Sequence, residues 1–180
     1  GYIDCKDVRI FGSRWYGVTT GNVLPQLHEA IRPNLREGAY NVMMLHTEVE
    51  GQLNRPIPAL STNKLLQLKN GIDYLALGHI HKNFAIDNWA FNPGSLEAAT
   101  IDEYKETRGA YLVELKDGKV QARLVQDYQK RPFEFDDFNL SEFPSPDEAA
   151  KALTEFLIKK CPSKSLELEK EKQPIIELTL

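Results

Sequence analysis

Residues 73–81 read DYLALGHIH: an apolar run that ends abruptly in a glycine and two histidines. A short apolar run bounded by turn residues has the pattern of a strand buried inside a sheet. The same design occurs upstream, where YNVMMLH at 40–46 is almost uninterruptedly apolar and also stops at a histidine, which predicts a strand buried on both faces. Between the two, Ser61 is placed to cap a helix of about two turns over TNKLLQLKN, with Gly71 as the residue beyond its end. Two apolar strands therefore deliver histidine at their carboxyl ends, where open α/β sheets place their binding sites.

Further upstream, DVRIFG at 7–12 reads as a strand, and Leu24, Leu27, His28, Ile31 and Leu35 carry helical spacing over 22–37, with Pro33 expected to kink the helix or end it early. Downstream, FAI, WAFN and GAYLVEL read as strands in a mostly antiparallel stretch, and Asp117-Gly118 is a hairpin turn leading into KVQARLV. The composition changes near Asp127. A strand-like RPFEF is followed by a strongly marked helix, with Ser145 as its cap, Pro146 at its first position, acidic residues in the first turn, lysines in the last and Pro162 beyond. The charged KSLELEKEK then leads into PIIELTL, a further strand. The alternation of elements predicts an α/β (α+β) protein with one unit over 1–126 and a second, small α+β unit over 127–180.

Bulk properties narrow the function classes. The 180 residues are 42% hydrophobic and 27% charged, the composition of an ordinary globular protein. With 22 basic and 26 acidic residues the net charge is -4, so any attraction for phosphate has to be local. Cys5 and Cys161 have neither metal-ligand nor disulfide-framework spacing, and read as free thiols of a reducing compartment. No apolar run approaches the roughly 20 residues that span a bilayer, and a cytoplasmic protein without membrane contact is expected.

The histidines carry the chemistry. On an extended segment His79 and His81, two residues apart, project to the same side, and Gly78 leaves room for close approach. Neutral imidazole is a borderline ligand for Mn, Fe, Zn or Ni, so this pair with His46 on a neighbouring strand end forms a plausible metal set. His28, within a helical pattern and without a partner motif, reads as a residue of a partly buried helix face. Glu48, Glu50 and Glu97 could orient imidazoles, although carboxylates near strand ends are commonplace. Ser95 lacks a nucleophile-elbow context and reads as a turn residue. Trp89, Phe91 and Tyr111 read as core aromatics rather than base-stacking groups, and Lys82, Lys105 and Arg108 read as solvated charges, with a phosphate path close to the metal site as the alternative.

These residues resemble a known family. GHIH at 78–81 resembles the G-H-x-H motif of the calcineurin-like metallophosphoesterases, and LHTEVEG at 45–51 resembles the single-histidine motif that precedes it. FNPGSLE at 91–97, GAYLVEL, RPFEF and SPDEAAKALTEFL are similar, in order, to the C-terminal half of SbcD-type DNA-repair nucleases. The resemblance implies a four-layer β-sandwich flanked by helices, followed by the start of a capping domain. It implies two divalent metal ions, of manganese type, with His46 and His79 on one ion and His81 on the other. Such ions neutralise phosphate oxygens and support an in-line displacement. It also implies DNA as substrate, exonuclease or endonuclease hydrolysis, and an SMC-like coiled-coil ATPase as partner.

The family's D-x-H, G-D and G-N-H motifs, which supply the anionic ligands and the catalytic histidine, have no counterpart among these residues. The expectation is a portion of a longer enzyme, inactive alone, with those motifs before Gly1 and the capping domain cut at Leu180. Two alternatives stay open: a phosphoesterase of the same superfamily acting on small molecules or phosphoproteins, and a non-catalytic scaffold. The absent half would leave apolar sheet surface exposed, for which a homo-oligomer is one compensation.

Overall fold

The first strands form where β-branched and aromatic residues alternate with polar ones. β1 (Tyr2–Cys5) and β2 (Val8–Gly12) pair antiparallel across a tight turn in which Lys6 takes a φ of +55°. The computed structural model describes residues 1–53, 58–160 and 174–179, in two compact units, Gly1–Asp127 and Tyr128–Leu180.

The helix predicted over 22–37 is displaced toward the N-terminus. α1 spans Thr20–Ile31 and gives way to a 3₁₀ turn, Arg32–Asn34. Pro33 cannot donate an amide or continue the helix, so the regular part stops before it. A second proline, Pro25, lies inside α1 and removes the amide that would have bonded the carbonyl of Gly21 four residues back. That carbonyl instead accepts from Lys64 Nζ at 3.2 Å. The chain then enters β3 (Tyr40–His46), parallel to β2. α2 (Thr62–Leu66) follows, capped by the Ser61 hydroxyl accepting from the Lys64 amide, and runs into a 3₁₀ turn, Gln67–Lys69. Gly71, at φ +112°, ends this stretch in a conformation that favours glycine, and a Cβ there would press on the Leu35 side chain.

β4 (Tyr74–Gly78), β5 (Phe84–Ile86) and β6 (Ala90–Asn92) complete a six-stranded mixed sheet of order β1-β2-β3-β4-β6-β5. β2, β3, β4 and β6 run parallel, and the outer strands β1 and β5 are antiparallel to their neighbours. Phe11, Met43, Leu75 and Ala90 lie in register across one face and are buried, together with Leu24 of α1 and Leu65 of α2. Each such large side chain contributes about 1.5–3 kcal/mol by leaving water.

The opposite face differs from the sequence expectation. β3 is buried on one face only, since Asn41, Met43 and Leu45 point inward while Met44 is 56% exposed. Ile3, on the same outer face, is 71% exposed. Farther along the sheet this face is covered. Tyr74 stacks on Phe91 at 5.4 Å, and Phe91 meets Tyr111 edge-on at 5.0 Å. Tyr111 belongs to the hairpin of β7 (Ala110–Lys116) and β8 (Lys119–Val125). Asp117 and Gly118 turn that hairpin with φ of +52° and +71°, the left-handed pair that a two-residue turn demands. Burial pushes the Tyr74 hydroxyl up to about 12.

In the second unit β9 (Phe133–Asp137) and β10 (Ile175–Thr179) pair in parallel. α3 (Pro146–Lys160) starts as expected, with the Ser145 hydroxyl accepting from the Glu148 amide at 3.3 Å. Phe138 packs on Phe143 and Phe156 at 5.4 and 5.5 Å between ring centres. Cys161, Pro162 and KSLELEKEK lie outside the described residues. Among the described residues no helix is long and apolar enough to cross a membrane.

The edge hairpin β1–β2 is held by charge. Arg9 donates to both carboxylate oxygens of Asp4 at 2.7 Å, donates to the Asn34 carbonyl, and lies 4.0 Å from the centre of the Tyr2 ring. The Arg9 hydrogen bond holds the Asp4 carboxyl below its ordinary value of 3.8. A lowered carboxylate contributes stability above that ordinary value, and the contribution is lost as pH falls through the lowered one. Asp4→Asn is accordingly expected to lower the urea midpoint at neutral pH, and the difference from the unaltered chain is expected to shrink as pH falls below 3.8 and to vanish beneath the lowered carboxyl value, as read by denaturation series at several pH values.

Candidate functional site

His46 is the last residue of β3 and pairs in register with Gly78, the last residue of β4. The two parallel strands end level, so His46 and the next residue on the other strand, His79, leave the sheet side by side. Gly78 makes the approach possible: a Cβ there would stand 3.2 Å from His46 Nδ1. His79 Nδ1 and His46 Nε2 are 3.2 Å apart, with the rings edge-on and 5.0 Å between centres.

The segment after Gly78 departs from the extended conformation expected for His79 and His81. His79 takes a φ of +96°, and Ile80 turns inward and is only 3% exposed. A non-glycine residue at such a φ carries strain of about 1–3 kcal/mol, which the surrounding contacts have to offset. The bend nonetheless keeps both histidines on one side: His46, His79 and His81 line a single cavity of about 580 Å³ with Lys82, Gly94 and Glu103.

Three contacts hold the bend. The Asn92 side chain, fully buried, donates to the carbonyls of Ile80 at 2.6 Å and Lys82 at 2.8 Å. The Ser95 amide donates to the His81 carbonyl at 3.0 Å. Gly94, at φ +80°, lets the turn approach, since a Cβ there would fall 2.5 Å from the His81 carbonyl oxygen. The FNPGS segment is thus a brace for the histidine bend, and Ser95 has the turn role expected of it.

Carboxylates orient the imidazoles. Glu48 Oε1 lies 3.3 Å from His79 Nε2, and Glu103 Oε1 lies 2.8 Å from His81 Nδ1. With those nitrogens donating, His79 Nδ1 and His81 Nε2 are left as free bases. Burial pushes the Glu103 carboxyl up, but the hydrogen bonds from His81 and from the Ala99 amide outweigh it and hold the group below its ordinary value. Burial, and then the neighbouring charges of His79 and His81, lower the proton affinity of His46 and favour its neutral, ligand-competent form.

The His46–His79 nitrogen pair fits one cation. With metal–nitrogen bonds of about 2.1 Å, a 3.2 Å separation subtends about 100°, within the range of common coordination geometries. Among the described residues no group of three or more His, Cys, Asp and Glu side chains converges to hold an ion. The described chain therefore offers two donors for one ion and does not complete a two-ion centre.

Of the other residues considered from sequence, Glu48 touches a histidine, whereas Glu50 and Glu97 are exposed. His28 lies along α1 against the Asn70 carbonyl, 3.3 Å away. Trp89 is buried, its indole donating to the Ile72 carbonyl, and Phe91 is buried with it. Lys82 reaches the cavity and Lys105 lies over the Tyr104 ring. Arg108 is not a solvated charge: it is 4% exposed and donates through Nε to the Glu106 carbonyl. Sequence reasoning missed Glu103, which reaches His81 from 22 residues away, and Trp15, whose indole stacks on His79 at 5.7 Å between centres. Both contacts are long-range, and neither residue sits in a motif that could have signalled it.

The fold and the site define a mixed α/β protein with a histidine-lined cavity at the carboxyl edge of a parallel sheet. No protein-family profile matches the chain. The chain is similar to the SbcD component of the SbcCD nuclease of Staphylococcus saprophyticus subsp. saprophyticus, with 29% identity over 109 residues, covering 57% of this chain and 28% of that protein. The chain thus spans less than a third of that relative's length, and the similarity is a distant relationship to an SbcD-type nuclease component.

Removing the brace tests its part in the site. Asn92→Ala leaves the Ile80 and Lys82 carbonyls without their donor, and a loss of about 1–3 kcal/mol in unfolding free energy is expected, measured by urea denaturation.

Proposed function

We propose that this chain carries one side of a metallophosphoesterase centre of the calcineurin-like type, in the branch of the DNA-repair nucleases. The observation that carries the reading is the level ending of β3 and β4, which sets His46 Nε2 and His79 Nδ1 3.2 Å apart beside a strained, braced bend. The similarity to a nuclease component supports the same branch.

In this reading His46 and His79 bind one divalent ion and His81 a second, with manganese as the expected metal. Glu48 and Glu103 hold the His79 and His81 tautomers, so that each imidazole presents a lone pair to the cavity. The ions, when bound, supply charge stabilisation to a phosphodiester undergoing displacement. The described residues contribute imidazoles and positioning; the anionic ligands and a proton-transferring histidine are assigned to other parts of a longer protein. The exposed outer face at Ile3 and Met44 is where this reading puts the second sheet of a β-sandwich. The unit from Tyr128 onward would begin a capping domain, and an SMC-like coiled-coil ATPase and DNA would be the partners.

Two measurements test this. In the longer protein, His79→Ala and His81→Ala are expected to reduce Mn-dependent cleavage of a DNA substrate to background while circular dichroism stays unchanged. Retained cleavage removes the ligand assignment. For the 180 residues alone, calorimetry is expected to find weak Mn binding, and a chromogenic phosphodiester is expected to be hydrolysed negligibly; robust turnover would show that the chain completes the centre by itself.

A further inference from the structure

Arg108 lies behind the histidine cavity rather than in it. It stands two residues before β7 and is only 4% exposed. Its Nε donates to a backbone carbonyl, that of Glu106, at 3.2 Å, and its Nη2 is buried with no hydrogen-bond partner among the described residues. Burying a guanidinium is costly unless its donors are paired, and an apolar side chain of similar length would fill the space without that cost. What the planar guanidinium adds over such a side chain is donors in fixed directions.

Two lines of contact run from Arg108 to His81. The first is a chain of hydrogen bonds. Glu106, whose carbonyl accepts from Arg108, donates its own amide to the Glu103 carbonyl at 3.0 Å, and the Glu103 carboxylate meets His81 Nδ1 at 2.8 Å. The second is packing. A Cβ on Gly94 would stand 3.1 Å from Arg108 Cβ, and the next residue, Ser95, donates its amide to the His81 carbonyl. One line ends on the His81 ring and the other on its backbone, so together they fix where the residue stands and how its imidazole is turned.

The turn that carries Arg108 is tied down on both sides. The Gly109 amide donates to the Pro93 carbonyl at 3.0 Å, the Asn83 amide to the Thr107 carbonyl at 2.6 Å, and the Gln126 side chain to the Arg108 carbonyl at 2.9 Å. Arg108 is thus the centre of a clamp that grips the chain just after His81 and again at the Gly94 turn.

From this arrangement we infer that Arg108 is a positioning residue for His81, acting through the Glu103 carboxylate on its ring and through the Gly94–Ser95 turn on its backbone. Arg108 does not line the cavity, whereas Gly94, Glu103 and Glu106 do. By holding Glu103 and Ser95 in one relation it keeps the His81 proton on Nδ1 and leaves Nε2 bare. The consequence for catalysis rests on the proposed function; the arrangement of His81 does not.

The test reads the imidazole directly. The 180-residue chain is isotope-labelled, and long-range proton–nitrogen NMR in metal-free alkaline buffer, where imidazoles are neutral, shows which ring nitrogen holds the proton. Of the four histidines, His28 on α1 serves as the internal reference. In the unaltered chain His81 is expected in one tautomer, protonated at Nδ1. Arg108→Met is expected to leave the urea midpoint unchanged or higher, since it removes the buried charge together with the need to pair it. The same variant is expected to split His81 into two tautomers with the His28 signals unmoved. Arg108→Lys keeps the charge without the planar fork, and is expected to show a smaller split. In the longer protein, Arg108→Met is expected to lower kcat for Mn-dependent DNA cleavage by about 10–100-fold at unchanged KM, the range for groups that orient a ligand from behind.

A single His81 tautomer in both variants overturns the inference, as does a split His81 in the unaltered chain. Shifts of His28 as large as those of His81, together with a lowered urea midpoint, overturn it in favour of a general packing role. An Arg108→Met chain that does not fold passes the decision to Arg108→Lys, where an unsplit His81 overturns the inference. A split His81 in the variants, beside a longer protein that cleaves no DNA even when unaltered, keeps the positioning role and removes the phosphoesterase reading.

Discussion

The pairing of β3 with β4 is the constraint on which the candidate site depends. Because the strands are parallel and His46 stands opposite Gly78, both chains leave the sheet at the same level, and this places the two imidazoles where their nitrogens come within 3.2 Å. A slip of one residue would send the inward set Met43 and Leu45 to the outer face and replace the glycine beside His46 with a residue whose side chain would crowd the His46 ring. The buried ladder of Phe11, Met43, Leu75 and Ala90 therefore does more than stabilise the sheet, because it also selects the register that aligns the histidines.

Around that pair the structure holds strain in place. His79 adopts a backbone conformation that its side chain disfavours, and the bend persists because the Asn92 side chain and the Ser95 amide donate to the carbonyls on its far side, with Gly94 letting the turn come close. Unfavourable local geometry over-determined by neighbouring hydrogen bonds is characteristic of sites whose side chains must be aimed rather than merely placed. Glu48 and Glu103 extend the same logic outward, each fixing the orientation of one imidazole through its far nitrogen.

Much of the architecture was legible in the sequence wherever a local device decides the outcome. Asp117-Gly118 supplies two left-handed residues, and a two-residue hairpin needs both. Ser145 and Pro146 satisfy and pre-set the first turn of α3, and α3 begins there. The reading failed where a distant partner rules. YNVMMLH is apolar on both faces, but the described structure covers only one of them at Met44, since burial depends on what packs there and not on the strand itself. The regular part of α1 begins at Thr20 and tolerates Pro25 because Lys64, from another element, takes the carbonyl that the proline leaves unbonded.

By itself the sequence determined that histidines stand at the ends of two apolar strands, since periodicity and punctuation are local properties of the chain. Tertiary structure decided which nitrogens meet, that His79 and His81 share a cavity through a bend rather than an extended strand, and that Glu103 and Trp15 belong to the same site. The physical reason is that register and loop conformation are set by side chains far apart in the chain, and their mutual packing leaves no signature in the spacing of either partner alone.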